Sequence, residues 1–355
     1  MKFITPSTEF IKEKDALKKI EICGRLCYKS ESSEDSSEKF ARALIKNGHH
    51  AMLEHHSFIF SSQEPLYEFL EAETNSKFFN LSSLSESSFL ISGNVRSIRN
   101  MFLEDNSILA AHMVVIIGKD YPVLVEDIVD QANRCVNMFK RNSCKKIDLV
   151  LQEQENIASL CKPYRDNDKD KLPEIWRFLY KPAKFTEVWD HLYETVKFTT
   201  NRGISHEIVR HRIASFAQES SRYCNYAKDK FGKEITFILP PWVDKGLTNI
   251  SIAGNNTLDF FDIPETDRIW ASNCEDSEAK YFSLLEHGWT PEQARDVLNN
   301  STKTEIIMTA SLKYWNNFFD LRARDKTGKA HPEMKQITLP LMAKFEEEYP
   351  YLIGV

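Results

Sequence analysis

Apolar residues recur at helical spacing over residues 8–28, where Phe10, Ala16, Leu17, Ile20, Ile22 and Leu26 share one side, and that period predicts an amphipathic helix. The Ser/Glu-rich run Ser30–Ser37 ends it. A second helix is expected from about Glu38 to Asn47, closed by Gly48, a good C-terminal stop. Ser57-Phe58-Ile59-Phe60-Ser61 then reads as a strand. From Ser62 the pattern changes. It takes in a Ser-rich piece (Asn80–Ser88), an apolar helix around Ile108–Ile117 and a highly charged run from Lys162 to Lys171. Within it Phe89–Arg96 looks like a strand turning into a helix, with Asn94 as cap. In the last third, Thr290-Pro291-Glu292-Gln293 is a capping box with Pro at the first helical position, which puts Arg295 one to two turns into a short helix. Thr304–Ser311 favours a strand with Ile306, Met308 and Ala310 on one side, and Ser311 is placed to cap the helix that follows. On that helix Leu312, Trp315, Phe318 and Phe319 form an apolar face, and Arg322 sits at its end, free to project from the rim. A final amphipathic helix begins at Pro332 and runs through Met334, Ile337, Leu341 and Phe345. Periodicity alone supports a mixed, helix-rich globular chain.

Composition narrows the class. A chain of 355 residues, 42% hydrophobic and 12% aromatic, is long enough for one large domain or two smaller ones with a sizeable core. No apolar run approaches the roughly 20 residues that span a bilayer, and Met1-Lys2-Phe3-Ile4 leads into charged residues rather than a signal-peptide core, so no membrane and a cytoplasmic location are expected. The seven cysteines form no CxxC pair, which predicts free thiols rather than a disulfide framework or zinc knuckle. With 11 glycines and neither a Walker loop nor a GxGxxG after an apolar run, the usual glycine cradles for nucleotides are missing. Any nucleotide or flavin phosphate has to be gripped by side chains.

One stretch is equipped for that. Arg210-His211-Arg212-Ile213-Ala214-Ser215-Phe216-Ala217-Gln218-Glu219-Ser220-Ser221-Arg222-Tyr223 packs three guanidiniums, an imidazole and three serine hydroxyls around one carboxylate. Arg supplies a planar fork that matches phosphate oxygens, and Ser adds short donors. The local positive charge runs against a net charge of −6, which points to a small polyanion rather than a nucleic acid as partner.

Arg-His-Arg, seven residues, Ser220 and then Arg222-Tyr223 resembles the signature of the flavin-dependent thymidylate synthases. Arg25-Leu26-Cys27-Tyr28, Gly48-His49-His50 through Leu53-Glu54-His55-His56-Ser57-Phe58, Gln293-Ala294-Arg295-Asp296-Val297-Leu298 and Leu321-Arg322 are similar to further segments of that family. The resemblance covers 1–61 and 196–355 as one core and leaves 62–195 as a mostly helical insertion of unknown role. It implies an α+β fold with a central antiparallel sheet flanked by helices, assembled as a homotetramer with sites between subunits. It further implies FAD, held by His55, Arg210, His211, Arg212 and Asn317. The substrate dUMP would be held by Glu207, Gln218, Ser220, Ser221, Arg222, Arg295 and Arg322, with Ser220 and Arg322 nearest the chemistry. NADPH and 5,10-methylenetetrahydrofolate are the implied co-substrates, and the implied product is dTMP. Glu207 stands where the family often has Gln. Gln218 stands where many members have Glu, and it can hydrogen-bond but not act as a base.

Two other readings stay open. A regulatory protein that binds nucleotide and flavin without turnover would keep the same residues. A metal-dependent phosphohydrolase would use His49, His50, Glu54, His55 and His56, although their spacing is neither HExxH nor HxxEH. No metal is expected.

Overall fold

The computed structural model describes residues 1–33, 35–62, 78–83, 89–143, 147–157, 188–243 and 264–349. The charged run 162–171 and residues 84–88 of the Ser-rich piece lie outside them. The chain opens with strands β1 (Lys2–Ile4) and β2 (Ser7–Phe10), then helices α1 (Ala16–Tyr28) and α2 (Ser36–Lys46). The segment 7–10, expected at or inside the first helix, is therefore strand. Four alternating residues satisfy either period locally, and pairing of Ser7–Phe10 with a strand at 196–199 decides between them. The helix proper begins after Asp15, whose carboxylate accepts the Lys18 N–H at 2.9 Å. α2 closes as expected at Gly48, which takes φ 71°.

A 3-10 segment, His50–His55, leads into β3 (Ser57–Ser62). Next come β4 (Phe79–Ser83), β5 (Phe89–Asn94), α3 (Val95–Leu103), α4 (Ile108–Asp120), α5 (Val129–Asn142) and β6 (Leu149–Gln152). Asn94 caps α3 as read from sequence, its side chain accepting from the Ser97 N–H at 2.8 Å. After β7 (Tyr193–Asn201) follow α6 (Arg202–Ile208), β8 (Ser215–Gln218), β9 (Thr236–Ile238), α7 (Glu265–Glu286), α8 (Pro291–Ala294), β10 (Lys303–Ser311), α9 (Leu312–Arg322) and α10 (Pro332–Glu348). No described helix is long and apolar enough to cross a membrane.

The fold is α+β, with antiparallel sheets flanked by helices, and among the described residues the larger sheets are two of four strands each rather than one central one. The first has the order β2-β7-β10-β8, the second β4-β5-β3-β6, and β1 pairs with β9 in parallel. Among its described residues the 62–195 stretch thus supplies β4, β5 and β6 as well as α3, α4 and α5, and it joins those strands to β3 in one sheet. β10 is covered on both faces. Ile306, Met308 and Ala310 pack on one side with Trp315, Phe318 and Phe319 of α9 and Leu341 and Phe345 of α10. Ile307 packs on the other with Cys23 and Leu26 of α1. Trp315 is fully buried among Phe198, Phe318, Phe319 and Phe345, and its indole N–H donates to the Glu194 carbonyl at 3.1 Å, the usual requirement for a buried Trp.

Candidate functional site

The site grows from the end of β7. Asn201, the last residue of that strand, turns its side-chain oxygen onto the Ile204 N–H at 2.8 Å and so starts α6. Arg202 is the first residue of that helix and Glu207 lies near its end. A turn at Arg210–Arg212 leads into β8, which pairs with β10 from Ser215 to Gln218, and the chain leaves the sheet at Glu219.

Two guanidiniums converge on one hydroxyl there. Ser221, 4% exposed, receives Arg202 Nη1 at 3.1 Å and Arg295 Nη1 at 3.5 Å. Among the described residues neither arginine has a carboxylate within ion-pair distance. A pair of uncompensated cations facing a hydroxyl is a locus for an anion with several oxygens. The one carboxylate of the segment does not cancel them, because it points inward. Glu219 is buried against Lys303 at 2.9 Å, Lys29 at 3.7 Å and the Tyr226 hydroxyl, which donates to it at 3.3 Å. Lys303 and Lys29 also hold Glu305. Burial alone would raise the Glu305 carboxyl, but the two ammonium groups outweigh it and hold it down at about 2.

The remaining residues of the run spread around this locus. The Ser220 N–H donates to the Cys27 carbonyl at 3.0 Å, tying the loop to the end of α1. Arg222 is exposed, its Nε 2.7 Å from Glu292, and its guanidinium lies over the ring of Tyr223. Gln218 donates to Ser205 and Thr304, so its amide braces β8 against α6 and β10. Arg295 follows α8, in the 3-10 turn Arg295–Val297. The capping-box residues start α8 as read from sequence, with the Thr290 N–H donating to Gln293 Oε1 at 2.9 Å.

A second cluster lies at the end of α9. Arg322 is not free at the rim as expected. Its Nη1 meets the Glu207 carboxylate at 2.6 Å and its Nε donates to His211 Nε2 at 3.1 Å. Burial, and then the Arg322 charge, push His211 down to about 4, so near neutrality its Nε2 is a lone-pair acceptor and not a second cation. Arg210, Arg212 and Asn317 are exposed. His55 is not beside an open surface. It is 1% exposed, its Nδ1 bonded to Thr309 Oγ1 at 2.8 Å, and burial pushes it down to about 4. Among the described residues its buried Nε2 meets no hydrogen-bond partner.

Between the two sheets runs a cleft whose lining includes Glu54, Ser57, Asn80, Tyr193, Ser215 and Ser311. Ile213 and Ala214, directly after Arg212, form part of its wall. Ser311 stands at the cap position of α9 but makes no capping bond, and its hydroxyl is buried without a partner. The Ser311 hydroxyl, unsatisfied among the described residues on the wall of this narrow cleft, is a donor suited to an oxygen-rich ligand such as a flavin side chain.

The histidine-rich segment disperses. His49 is exposed, His50 bonds the Ile45 carbonyl, and His55 and His56 turn inward, burial pushing His56 down to about 3. Glu54 is taken by Arg96 at 2.6 Å and Ser215 at 3.1 Å. Among the described residues, no three His, Cys, Asp or Glu side chains converge as a metal site would require.

The family model described as Thymidylate synthase complementing protein matches residues 9–66 and 126–351. The chain belongs to this family. Among its relatives, proteins named flavin-dependent thymidylate synthase are 29% identical over 154 residues in Corynebacterium aurimucosum and 31% over 152 residues in Sulfolobus acidocaldarius. A third, from Pyrococcus furiosus, is 28% identical over 152 residues. Each alignment takes in 43% of this chain and, respectively, 57%, 48% and 54% of the relative, so the chain spans about half the length of the curated relatives it matches. The family match resumes at 126 and so takes in α5 and β6, while β4, β5, α3 and α4 lie in the unmatched stretch between its two parts. From there Arg96 reaches back to Glu54 in the matched part.

Arg202 and Lys303 were not singled out by sequence reasoning. The usable signal was position: Arg202 follows an alternating apolar run, Val196 and Phe198, and an Asn suited to capping, where a strand hands over to a helix.

Proposed function

We propose that the chain makes dTMP from dUMP as a flavin-dependent thymidylate synthase, with FAD as cofactor, 5,10-methylenetetrahydrofolate as one-carbon donor and NADPH as reductant. In sum, dUMP, methylenetetrahydrofolate, NADPH and a proton become dTMP, tetrahydrofolate and NADP+. The observation that carries the reading is the convergence of Arg202 and Arg295 on Ser221 in a member of this family. Those three groups, with Ser220 and Arg222, hold the dUMP phosphate. Among the described residues the charge of Arg202 and Arg295 is unspent, because Glu219 is held by Lys303 and Lys29, whereas Arg222 would exchange Glu292 for the phosphate. Arg210, Arg212 and Asn317 are exposed, as contacts to the FAD phosphates and ring require, and Ser57 and Ser311 offer hydroxyls along the cleft. His55 supports that cleft from inside, through Thr309, rather than from its surface.

When bound, the flavin supplies the hydride. The chain's own share is placement and charge. Bringing uracil, flavin and folate into one site replaces a three-body encounter. Arg322, held between Glu207 and neutral His211, brings a fixed positive charge near the uracil, where it favours the negative charge that builds as the pyrimidine C5 becomes nucleophilic. Homotetramers with sites shared between subunits belong to the same proposal.

The test is direct. Purified protein incubated with FAD and desalted shows a flavin spectrum, oxidises NADPH only when dUMP and methylenetetrahydrofolate are present, and forms dTMP by mass spectrometry. Absence of flavin uptake would refute the proposal, whereas flavin and dUMP binding without dTMP would point to a binding protein that lacks turnover.

A further inference from the structure

Both clusters of the site hang on α6: its first residue, Arg202, faces Ser221, and Glu207 holds Arg322. A side chain from α10 helps to fix the start of that helix. The Asn201 amide is buried, and its orientation is settled by chemistry. The Ile204 N–H is able only to donate, so it must meet the side-chain oxygen, which leaves the NH2 pointing the other way. That NH2 donates to Glu333 Oε1 at 2.8 Å. Glu333 stands in the first turn of α10, its side chain 14% exposed, with His331 beside it at 3.5 Å. Beyond this, the Arg202 and Gly203 N–H groups are tied to the Thr302 and Asn300 carbonyls. The helix start is therefore gripped from the β10 side by backbone and from the α10 side by one hydrogen bond.

We propose that Glu333 is a positioning residue for both clusters: through Asn201 it sets where α6 begins, and thereby the aim of Arg202 at the anion locus and of Glu207 at Arg322. This rests on the reading of that locus as the dUMP phosphate site. A bond between a buried amide and a carboxylate is well suited to the task, because charge-assisted bonds are short and directional, and shifts of about 1 Å in a positioned group are felt strongly in binding and rate.

The test uses variants that keep the helix cap. Asn201→Ser retains a capping oxygen but has no amide to offer Glu333. Asn201→Asp retains the cap while setting a carboxylate against Glu333. Asn201→Asp with Glu333→Gln restores a donor–acceptor pair in the opposite sense. Calorimetric titration with dUMP and the KM for dUMP are read alongside thermal unfolding. The expected result is a roughly tenfold weaker dUMP affinity in Asn201→Ser, corresponding to about 1.4 kcal/mol, a larger loss in Asn201→Asp, and recovery to within about threefold of wild type in the double variant. KM is expected to rise more than kcat falls. Wild-type affinity in Asn201→Asp, or no recovery in the double variant although it melts like wild type, would overturn the proposal while leaving the phosphate site standing. Failure of the wild-type chain itself to bind dUMP would overturn both.

Discussion

Arg202→Ala should weaken the ligand and not the empty protein. Arg202 and Arg295 both reach the hydroxyl of Ser221, at 3.1 and 3.5 Å, so their nearest nitrogens are separated by no more than the sum of those distances and the charge centres by a similar amount or somewhat more. At about 6.5 Å, repulsion between unit charges is about 0.6 kcal/mol at the permittivity of water and about 2.5 kcal/mol at an effective value of 20. Both side chains are half-buried, so the real figure lies toward the lower end. Removing Arg202 relieves that repulsion and deletes one hydrogen bond to a neutral hydroxyl, worth about 1 kcal/mol. The free protein should therefore change in stability by less than about 1 kcal/mol in either direction. With dUMP bound, a charge-assisted contact to the phosphate is missing, which costs about 1.5–3 kcal/mol, or roughly a 10- to 150-fold weaker affinity. Calorimetry with dUMP and urea unfolding of the ligand-free protein read the two quantities separately. Arg202→Lys should fall between, since it keeps the charge but not the fork. An Arg202→Ala protein that binds dUMP normally, or that loses several kcal/mol of stability when empty, would refute the reasoning.

Trp315→Ala removes the ring at the centre of the aromatic cluster that joins β7, α9 and α10, and should cost about 3–5 kcal/mol in denaturant unfolding. Acid should destabilise the fold through histidines kept neutral by burial. His191, bonded to Ser92 and Ser82 at 2.9 and 2.8 Å, is pushed down to about 3, and His55 to about 4, from an ordinary 6.5. The unfolded chain takes up these protons first, so stability is intact above about pH 6.5. It falls toward pH 3–4 by up to about 1.4 kcal/mol per pH unit per histidine. Urea midpoints between about pH 7 and 5 should show this slope, reduced by one proton in His191→Asn. Mixing inactive Arg222→Ala and Arg322→Ala chains during refolding should restore some dTMP formation if subunits share sites, and no recovery in verified hetero-oligomers would argue against sharing.

What the sequence makes legible is local. Asn94 and Gly48 act through their own backbone neighbours, and the face Leu312, Trp315, Phe318 and Phe319 follows from a helical period. The Arg-His-Arg to Ser220 spacing marks the site because its residues share one short turn–strand–turn. What it hides is set across the chain. Residues 7–10 become strand only because 196–199 lie alongside. Arg322 looks free until Glu207 and His211, over a hundred positions away, are seen beside it, and Glu219 looks like the carboxylate among its own segment's arginines until Lys303 draws it inward. Ser311 fits the capping rule and departs from it, standing at the cap of α9 on the wall of the cleft with no capping bond from its hydroxyl.

The central pairing of β10 has a consequence for how the protein comes into being. Lys303 pairs with Asn201 and Ser7 with Thr199, so the first sheet joins segments made far apart in time on the ribosome. Such non-local pairing folds slowly, whereas the strands of the second sheet all lie between residues 57 and 152 and can pair before β7 and β10 are made. The amino-terminal layer can therefore be built early and wait as a template, while Ser221 is already synthesised but has nothing to hold it. Its two arginines and Lys303 come into register only when β10 closes the sheet. The locus around Ser221 is thus among the last features to assemble during synthesis, and a nascent chain stopped short of β10 would be partly folded yet would lack the aligned arginines of the proposed nucleotide site.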